Sequence, residues 1–588
     1  FEMHKKSISI MLCLALLISA VAFAIPANAV TVDSNAVGKS SIESADDFTW
    51  DNVNMYFLLT DRFCNGNTSN DHSYGRTLDA NGQPLSGWNT APGTFHGGDF
   101  AGITKKINEG YFDDMGVNAI WISAPYEQIH GYVTSGGDTS PAHFAHYSYH
   151  GYYVLDYTET DANFGTKAEF KTMVDTAHKH GIRVVMDIVM NHAGYNNLLD
   201  MEEYGYGTLK SGYDKYKYRL TDANDFHSCI DYESSASDWG KWWGPKWVRS
   251  GLPGYEKGGG EVTGMLAGLP DFRTESTETV SIPTFLQTKW QKEGTLSQKL
   301  SKYGSSGRVN DYLTTWLAEW VEEYGVDGFR CDMAMLVPIE FWQEAARELH
   351  AIKPDVFMLA EAEEDNLFND AFNMSYQWNI HHIMCDIAKG ARRVWDLRNA
   401  IHSERAKYPR EAMRMSFTSN HDENSWSGSE QTRFGNALEV MTAMTFLMPS
   451  TMPLIYTGQE VGYDHSFEFF ERDAIPTEAY TENRTTELYR RLCDLKHSEA
   501  ALAAGERGGE MIEIENNAKD CMMTFVREVR GSRVVAIMNL SPYTIHADFN
   551  TGIYAGVYHN AITGERTELS EHVDEYIAPW NYRILVKK

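Results

Sequence analysis

Eight short β-type runs, each followed by a helix-like stretch, constrain this chain more than any other feature. They lie at residues 53–61, 117–123, 182–189, 326–332, 356–361, 371–376, 413–420 and 454–457. Between them, residues 166–180 place Phe170, Met173, Val174 and Ala177 on one helical face. Residues 311–324 do the same with Leu313, Trp316, Leu317 and Trp320. Eight strands alternating with helices predict an α/β fold, a closed parallel (β/α)8 barrel of the TIM type. The run 182–189 is apolar almost throughout, as burial on both faces requires.

The alternation breaks twice. Residues 193–279 are rich in Gly, Tyr, Trp, Asp and Lys without sustained periodicity, so an insert after strand three is expected at the barrel mouth. From residue 487 a helix (487–499) leads into short alternating runs at 511–515, 522–526, 533–539, 547–550 and 582–587. These predict a C-terminal antiparallel β-sandwich. The expected organisation is a signal peptide over 1–29, a short segment over 30–50, the barrel over 51–192 and 280–486, an inserted domain over 193–279 and the β domain over 487–588.

Charge narrows the partners. Lys and Arg number 51 against 81 Asp and Glu, a formal balance of −30. Phosphate backbones and anionic membrane surfaces are repelled by such a chain, whereas neutral polymers and divalent cations are not. The first 29 residues carry Lys5 and Lys6, an apolar run from Ile8 to Ile25 and a small-x-small triplet, Ala27-Asn28-Ala29. That pattern predicts a cleavable export signal cut after Ala29, a secreted protein and no stable membrane anchor. Its rival is a membrane anchor, which eighteen apolar residues just suffice to form. Cys64, Cys229, Cys331, Cys385, Cys493 and Cys521 are dispersed and contain no C-x-x-C pair, so no disulfide framework and no zinc site are expected.

In a parallel barrel the reacting groups gather where strands end. Strand three ends in Asp187-Ile-Val-Met-Asn191-His192, strand four in Gly328-Phe-Arg330-Cys-Asp332, strand five in Leu-Ala-Glu361 and strand seven in Ser-Asn-His421-Asp422. Side chains alternate along a strand, so Arg330 and Asp332 point the same way, and Arg330 is expected to hold Asp332 ionised. Such a set fits a metal hydrolase or glycoside cleavage. None of these strand ends carries a compact His pair of a metal hydrolase, H-x-H or H-E-x-x-H. Glycoside cleavage needs one protonated and one ionised carboxyl. The apolar neighbours of Glu361 suit the protonated role, with Glu363 and Glu364 as rivals beyond the strand end.

With those residues in view, the chain resembles the α-amylase family of retaining glycoside hydrolases (family 13). The segments DIVMNH, GFRCD, LAE and SNHD resemble its four signatures in order. GVNAIWISAP at 116–125, Tyr149-His150-Gly151-Tyr152, LPDF at 269–272 and LIYTGQE at 454–460 agree with it. The resemblance implies Asp332 as nucleophile, Glu361 as acid and base, and Asp422 as the group gripping sugar hydroxyls. Tyr152, His192, Arg330 and His421 would complete the substrate pocket. It implies an endo-acting α-1,4-glucan hydrolase on starch, amylose and maltooligosaccharides, working as a monomer. Alternatives are a cyclomaltodextrinase, neopullulanase or glucanotransferase of the same family, or a non-catalytic glucan-binding relative.

The resemblance also implies Ca²⁺, held by Asn191, Asp271 and the carbonyl of Leu336. Oxygen-only ligands of this kind suit a hard cation. A second site is expected from Asn65, Asn67, Asn70 and Asp71 with Gly97 and Asp99, similar to the N-terminal calcium loop of cyclodextrin glucanotransferases. An ordinary Asn/Gly turn is the alternative there. Two departures stand out. Met335 and Leu336 occupy positions where many α-amylases carry Lys-His for the leaving-side sugar, and Ala360 replaces a usual Gly. Trp239, Trp242, Trp243 and Trp247 crowd the insert and are expected mainly to form its core.

Overall fold

The computed structural model describes residues 48–76, 93–131, 146–195, 197–212, 231, 243–244, 246–249 and 269–587. The segment 1–29 expected to be an export signal, Cys229, Trp239 and Trp242 lie outside them.

The eight barrel strands are Met55–Leu58, Ala119–Ile122, Arg183–Ile188, Gly328–Cys331, Phe357–Ala360, Met374–Tyr376, Met413–Ser416 and Thr451–Tyr456. They close in sequence order, the eighth pairing with the first, every pair parallel. Each coincides with a run expected from the sequence, the eighth starting three residues early. Strands one, two, four, five, six, seven and eight are buried at every residue, which is what a strand between a packed interior and covering helices must be. The helix Lys167–Lys179 starts at a capping box in which Thr166 and Glu169 satisfy each other's backbone N–H. It buries Phe170, Met173, Val174 and Ala177.

Two additions frame the mouth. An antiparallel ribbon, Tyr126–Gln128 with Val154–Thr160, stands between strands two and three and was not anticipated. The insert returns to the barrel where His192 pairs with Asp271 and Val248 with Phe272. Trp243 and Trp247 are buried there against Phe272, Phe285 and Trp316, in the core role expected of them.

The C-terminal part is a six-stranded antiparallel sheet facing a two-stranded one, Ile545–Asn550 with His572–Ile577. Alternation sorts its side chains. Val534, Ala536 and Met538 of the strand Ser532–Asn539 join the barrel core, while Val535 and Ile537 face the small sheet. The strands Gly556–Asn560, Arg566–Leu569 and His572–Ile577 were not expected. The last of these buries only Val573 and Ile577, too few apolar residues to announce a strand. The two parts are tied by a buried guanidinium. Arg527 donates to the carbonyls of Leu447 (3.1 Å), Met448 (2.8 Å), Ala503 (3.2 Å) and Gly509 (2.8 Å). Beside it, the buried Lys496 amine donates to the carbonyls of Thr451 (2.8 Å) and Leu502.

Candidate active site

Strands three and four set the centre. Their register pairs Asp187 with Arg330, which brings a buried acid and a buried guanidinium side by side. Arg330 Nη1 donates to Asp187 Oδ1 (3.1 Å) and Asp332 Oδ1 (2.9 Å), and Nε donates to the Tyr376 hydroxyl (3.1 Å). Nη2 forms an ion pair with Glu361 Oε2 at 2.9 Å. That same oxygen accepts the Met333 backbone N–H at 2.6 Å. Met333 has φ +46°, a left-handed conformation costly for a side-chain-bearing residue, and it turns the N–H onto Glu361 immediately after Asp332.

Tyr152 arrives from the turn between strands two and three. Gly151 there has φ +95°, and a Cβ on it would meet the Ala124 carbonyl at 2.7 Å, so the turn admits only glycine. The Tyr152 hydroxyl donates to Asp187 Oδ2 (3.2 Å) and stands 2.8 Å from His421 Nε2. With that hydroxyl proton committed to Asp187, the network assigns the Nε2–H tautomer to His421. His421 Nε2 lies 3.6 Å from Asp422 Oδ2. His192 Nε2 meets the Tyr152 carbonyl at 3.2 Å. The structure therefore brings Tyr152, His192, Arg330, Asp332, Glu361, His421 and Asp422 to one mouth.

Burial governs the charges. Asp187, Asp332 and Glu361 are all pushed up from the usual carboxyl range by desolvation, against which Arg330 acts on each. Arg330 was expected to hold Asp332 ionised. It does act downward, but it is shared with Asp187 and Glu361, and burial together with the Asp187 charge outweighs it. One cation among three buried acids cannot neutralise all of them, so protonating one is the favoured state. Glu361 is raised by burial and by the Asp332 and Asp422 charges. Its Oε2 is already engaged by Met333 and Arg330, which leaves Oε1 to carry the proton. His192 and His421 are both lowered to about 4 by burial and are neutral imidazoles at ordinary pH.

The expected metal ligands fall into two groups. Asn191 Nδ2 donates to Asp271 Oδ1 (3.2 Å), and burial raises Asp271 to about 6. An amide oxygen beside an under-neutralised carboxylate is a donor set a hard cation fits. Leu336 sits in the turn Ala334–Leu336 after strand four, its N–H bonded to the Met333 carbonyl. In the N-terminal loop, Asn65 Nδ2 donates to Asp71 (2.9 Å), and Asn70 Oδ1 is buried without a partner. A Cβ at Gly97 would come within 2.5 Å of the Asn65 amide and 2.9 Å of Asp71. Asp99 stands differently. Its oxygens accept the N–H groups of Gly66, Asn67 and Gly102 and the Asn70 amide, so it is spent as the cap of the helix Phe100–Asn108. Asn67 Oδ1 is likewise taken by Ser69.

Three contributors escaped sequence reasoning: Asp187, Trp121, whose indole N–H donates to Asp187 (3.3 Å), and Tyr376. Asp187 had a signal. It is the one acid in a strand that is otherwise apolar after Arg183, and such a group needs a cationic neighbour.

The residues 57–239 and 299–501 match the model of the α-amylase catalytic domain, and 513–579 match the α-amylase C-terminal all-β domain. The chain belongs to the α-amylase family. A periplasmic α-amylase of Escherichia coli (strain K12) is 43% identical over 325 residues, 53% of this chain and 45% of that protein. The chain thus matches under half the length of this relative. A cyclomaltodextrin glucanotransferase of Niallia circulans is 26% identical over 590 residues, 96% of this chain and 69% of that enzyme. Among solved structures, an Anoxybacillus α-amylase superposes with a TM-score of 0.60 at 20% identity, covering 92% of this chain and 98% of that one. The α-amylase fold therefore accounts for both the barrel and the C-terminal sheet. Among the described residues no helix is long and apolar enough to cross a membrane.

Proposed function

We propose that this member of the α-amylase family is a secreted α-amylase. It hydrolyses internal α-1,4-glucosidic bonds of starch, amylose and maltooligosaccharides with retention at the anomeric carbon. The observation that carries this reading is the Arg330-centred group. There Glu361, a carboxyl pushed up by burial, and Asp332, which meets Arg330 through Oδ1, share one guanidinium.

In the first half-reaction Asp332 Oδ2 attacks the anomeric carbon while Glu361 Oε1 delivers its proton to the departing glycosidic oxygen, leaving a glycosyl ester. In the second, Glu361, now a carboxylate, takes a proton from water. That water attacks the same carbon, and Asp332 leaves as a carboxylate. The two carboxyl groups of such retaining enzymes stand about 5–5.5 Å apart. Asp422, with His421 and Tyr152, grips the sugar where it flattens, and neutral imidazoles there donate hydrogen bonds without adding charge. Ca²⁺, when bound, supplies a fixed positive charge joining insert to barrel. Asn191, Asp271 and the Leu336 carbonyl would hold it, and Asn65, Asn70, Asp71 and Gly97 a second ion.

Asp332→Asn should abolish release of reducing ends from amylose, and unchanged hydrolysis would sink the assignment. A second reading, transfer rather than hydrolysis, draws on Met335 and Leu336. Each is 39% exposed on the leaving side and offers the incoming acceptor an apolar surface. Chromatography of products from amylose and from cyclodextrin separates the two: linear maltooligosaccharides support hydrolysis, while dominant rings or lengthened chains support transfer.

A further inference from the structure

Trp426 is the anomaly of the barrel mouth. It is 52% exposed, on the helix His421–Ser427 that begins at the substrate pocket. Among the described residues only Trp395, at 50%, is a comparably exposed tryptophan, and Trp426 differs from it in standing one turn from His421 of the pocket. Its ring leans on Phe469 (5.6 Å between centroids, 31° between planes) and on Phe470 (6.1 Å). Phe469 in turn lies 6.2 Å from the His421 ring and 5.4 Å from that of His150, which stacks on Tyr152. Ring contacts therefore link Trp426 through Phe469 to the buried His421 and, through the buried His150, to Tyr152, with Trp426 as the exposed end of the row.

The surface is held rigidly. Asn424, two residues before Trp426, donates to the His465 carbonyl (2.9 Å) and accepts the Phe467 N–H (2.8 Å). Its own carbonyl accepts the Ser466 hydroxyl (2.8 Å). These bonds staple the loop after strand eight to the helix after strand seven. The Tyr149 hydroxyl donates to the Phe469 carbonyl and fixes the loop from the other side. Glu361 follows strand five, three strands round the closed ring from strand eight, whose loop carries Phe469 and Phe470, and two from strand seven, whose helix carries Trp426. The leaving portion of a substrate departs on the side of the proton donor.

We infer that Trp426, backed by Phe469 and Phe470, is a stacking subsite for a glucosyl unit of the retained, non-reducing side of the chain, beyond the unit held by Tyr152 and His421. A pyranose ring presents C–H groups on one face and hydroxyls at its edge, which matches an aromatic plane open at its rim. Trp426 is thus a specificity residue that rewards longer substrates. This inference rests on the α-glucan reading above.

The test is a chain-length series, maltotriose to maltoheptaose, with the wild type, Trp426→Ala and Trp426→Phe. Trp426→Ala should raise KM for maltoheptaose about tenfold, ~1.4 kcal/mol of binding, with kcat within about twofold. The penalty should fade as the substrate is shortened toward maltotriose, and Trp426→Phe should restore most of the loss. A penalty independent of length, or none, overturns the subsite. Calorimetry of maltoheptaose binding to Asp332→Asn with and without Trp426→Ala reads the same contact apart from turnover, and equal Kd values also overturn it. A wild-type protein that neither binds nor cleaves maltoheptaose would instead refute the α-glucan reading itself.

Discussion

Arg330 Nη1 is shared between two acids on neighbouring strands, 3.1 Å from Asp187 and 2.9 Å from Asp332. The same guanidinium reaches Glu361 through its other terminal nitrogen and Tyr376 through Nε. Only a planar fork with several fixed donors makes four such contacts; an ammonium is a single point on a flexible stem. Arg330→Lys should therefore lower kcat on amylose by about 10²–10³-fold, the range seen when one oriented electrostatic group is removed. Circular dichroism establishes that the barrel persists.

Asp187→Asn separates the two limbs of the pH profile. Asp187 pushes Asp332 up, so removing its charge, which also frees Arg330, should bring Asp332 down. The acidic limb of kcat/KM, where the nucleophile must lose its proton, then moves to lower pH. Glu361 is raised mainly by burial and by Asp332 and Asp422, so the alkaline limb should move less and the active range should widen. Equal displacement of both limbs would contradict this wiring.

Calcium and capping separate in the N-terminal loop. A chelator should lower the melting temperature, and Asp271→Asn and Asp71→Asn should each diminish the recovery produced by added Ca²⁺. Asp99→Ala should behave otherwise, costing about 1 kcal/mol through the lost helix cap with or without the ion. Differential scanning calorimetry with chelator and again with added Ca²⁺ reads all three variants.

Lys496 gives stability a slope with pH. Burial and the nearby Arg527 charge lower its pKa well below 10.5 in the folded protein, so between those two values the unfolded chain binds the extra proton. Its contribution is then greatest at high pH and is lost as pH falls through that window. Lys496→Met removes the slope, so the melting temperature of the variant relative to the wild type should rise toward lower pH. A constant difference across the window would count against a neutral buried amine.

How much of this was legible beforehand depended on what each feature requires. Barrel strands such as Phe357–Ala360 announce themselves because burial on both faces demands an unbroken apolar run. That Asp332, Glu361 and Asp422 meet at one mouth was legible because strand ends converge in any barrel. The part played by Asp187 was not. Arg330 had a partner available two residues away on its own strand, and only the register of strands three and four supplies the second. Trp426 was equally opaque, since exposure is a property of the packed molecule and the segment DENSWS reads as an ordinary helical turn. Asp99 sat in a dense Asn/Asp/Gly loop, where a ligand and a helix cap use the same residue types.

The Arg527 guanidinium carries a lesson for anyone wishing to cut this protein into modules. Carbonyls closing a barrel helix find their donor on a strand that belongs to the other sheet. A shortened chain ending before residue 527 would take the Arg527 donor from both oxygens, leaving the Met448 carbonyl only the Thr451 hydroxyl. The catalytic half is thus finished by its appendage, and transplanting either piece means transplanting that one side chain with it.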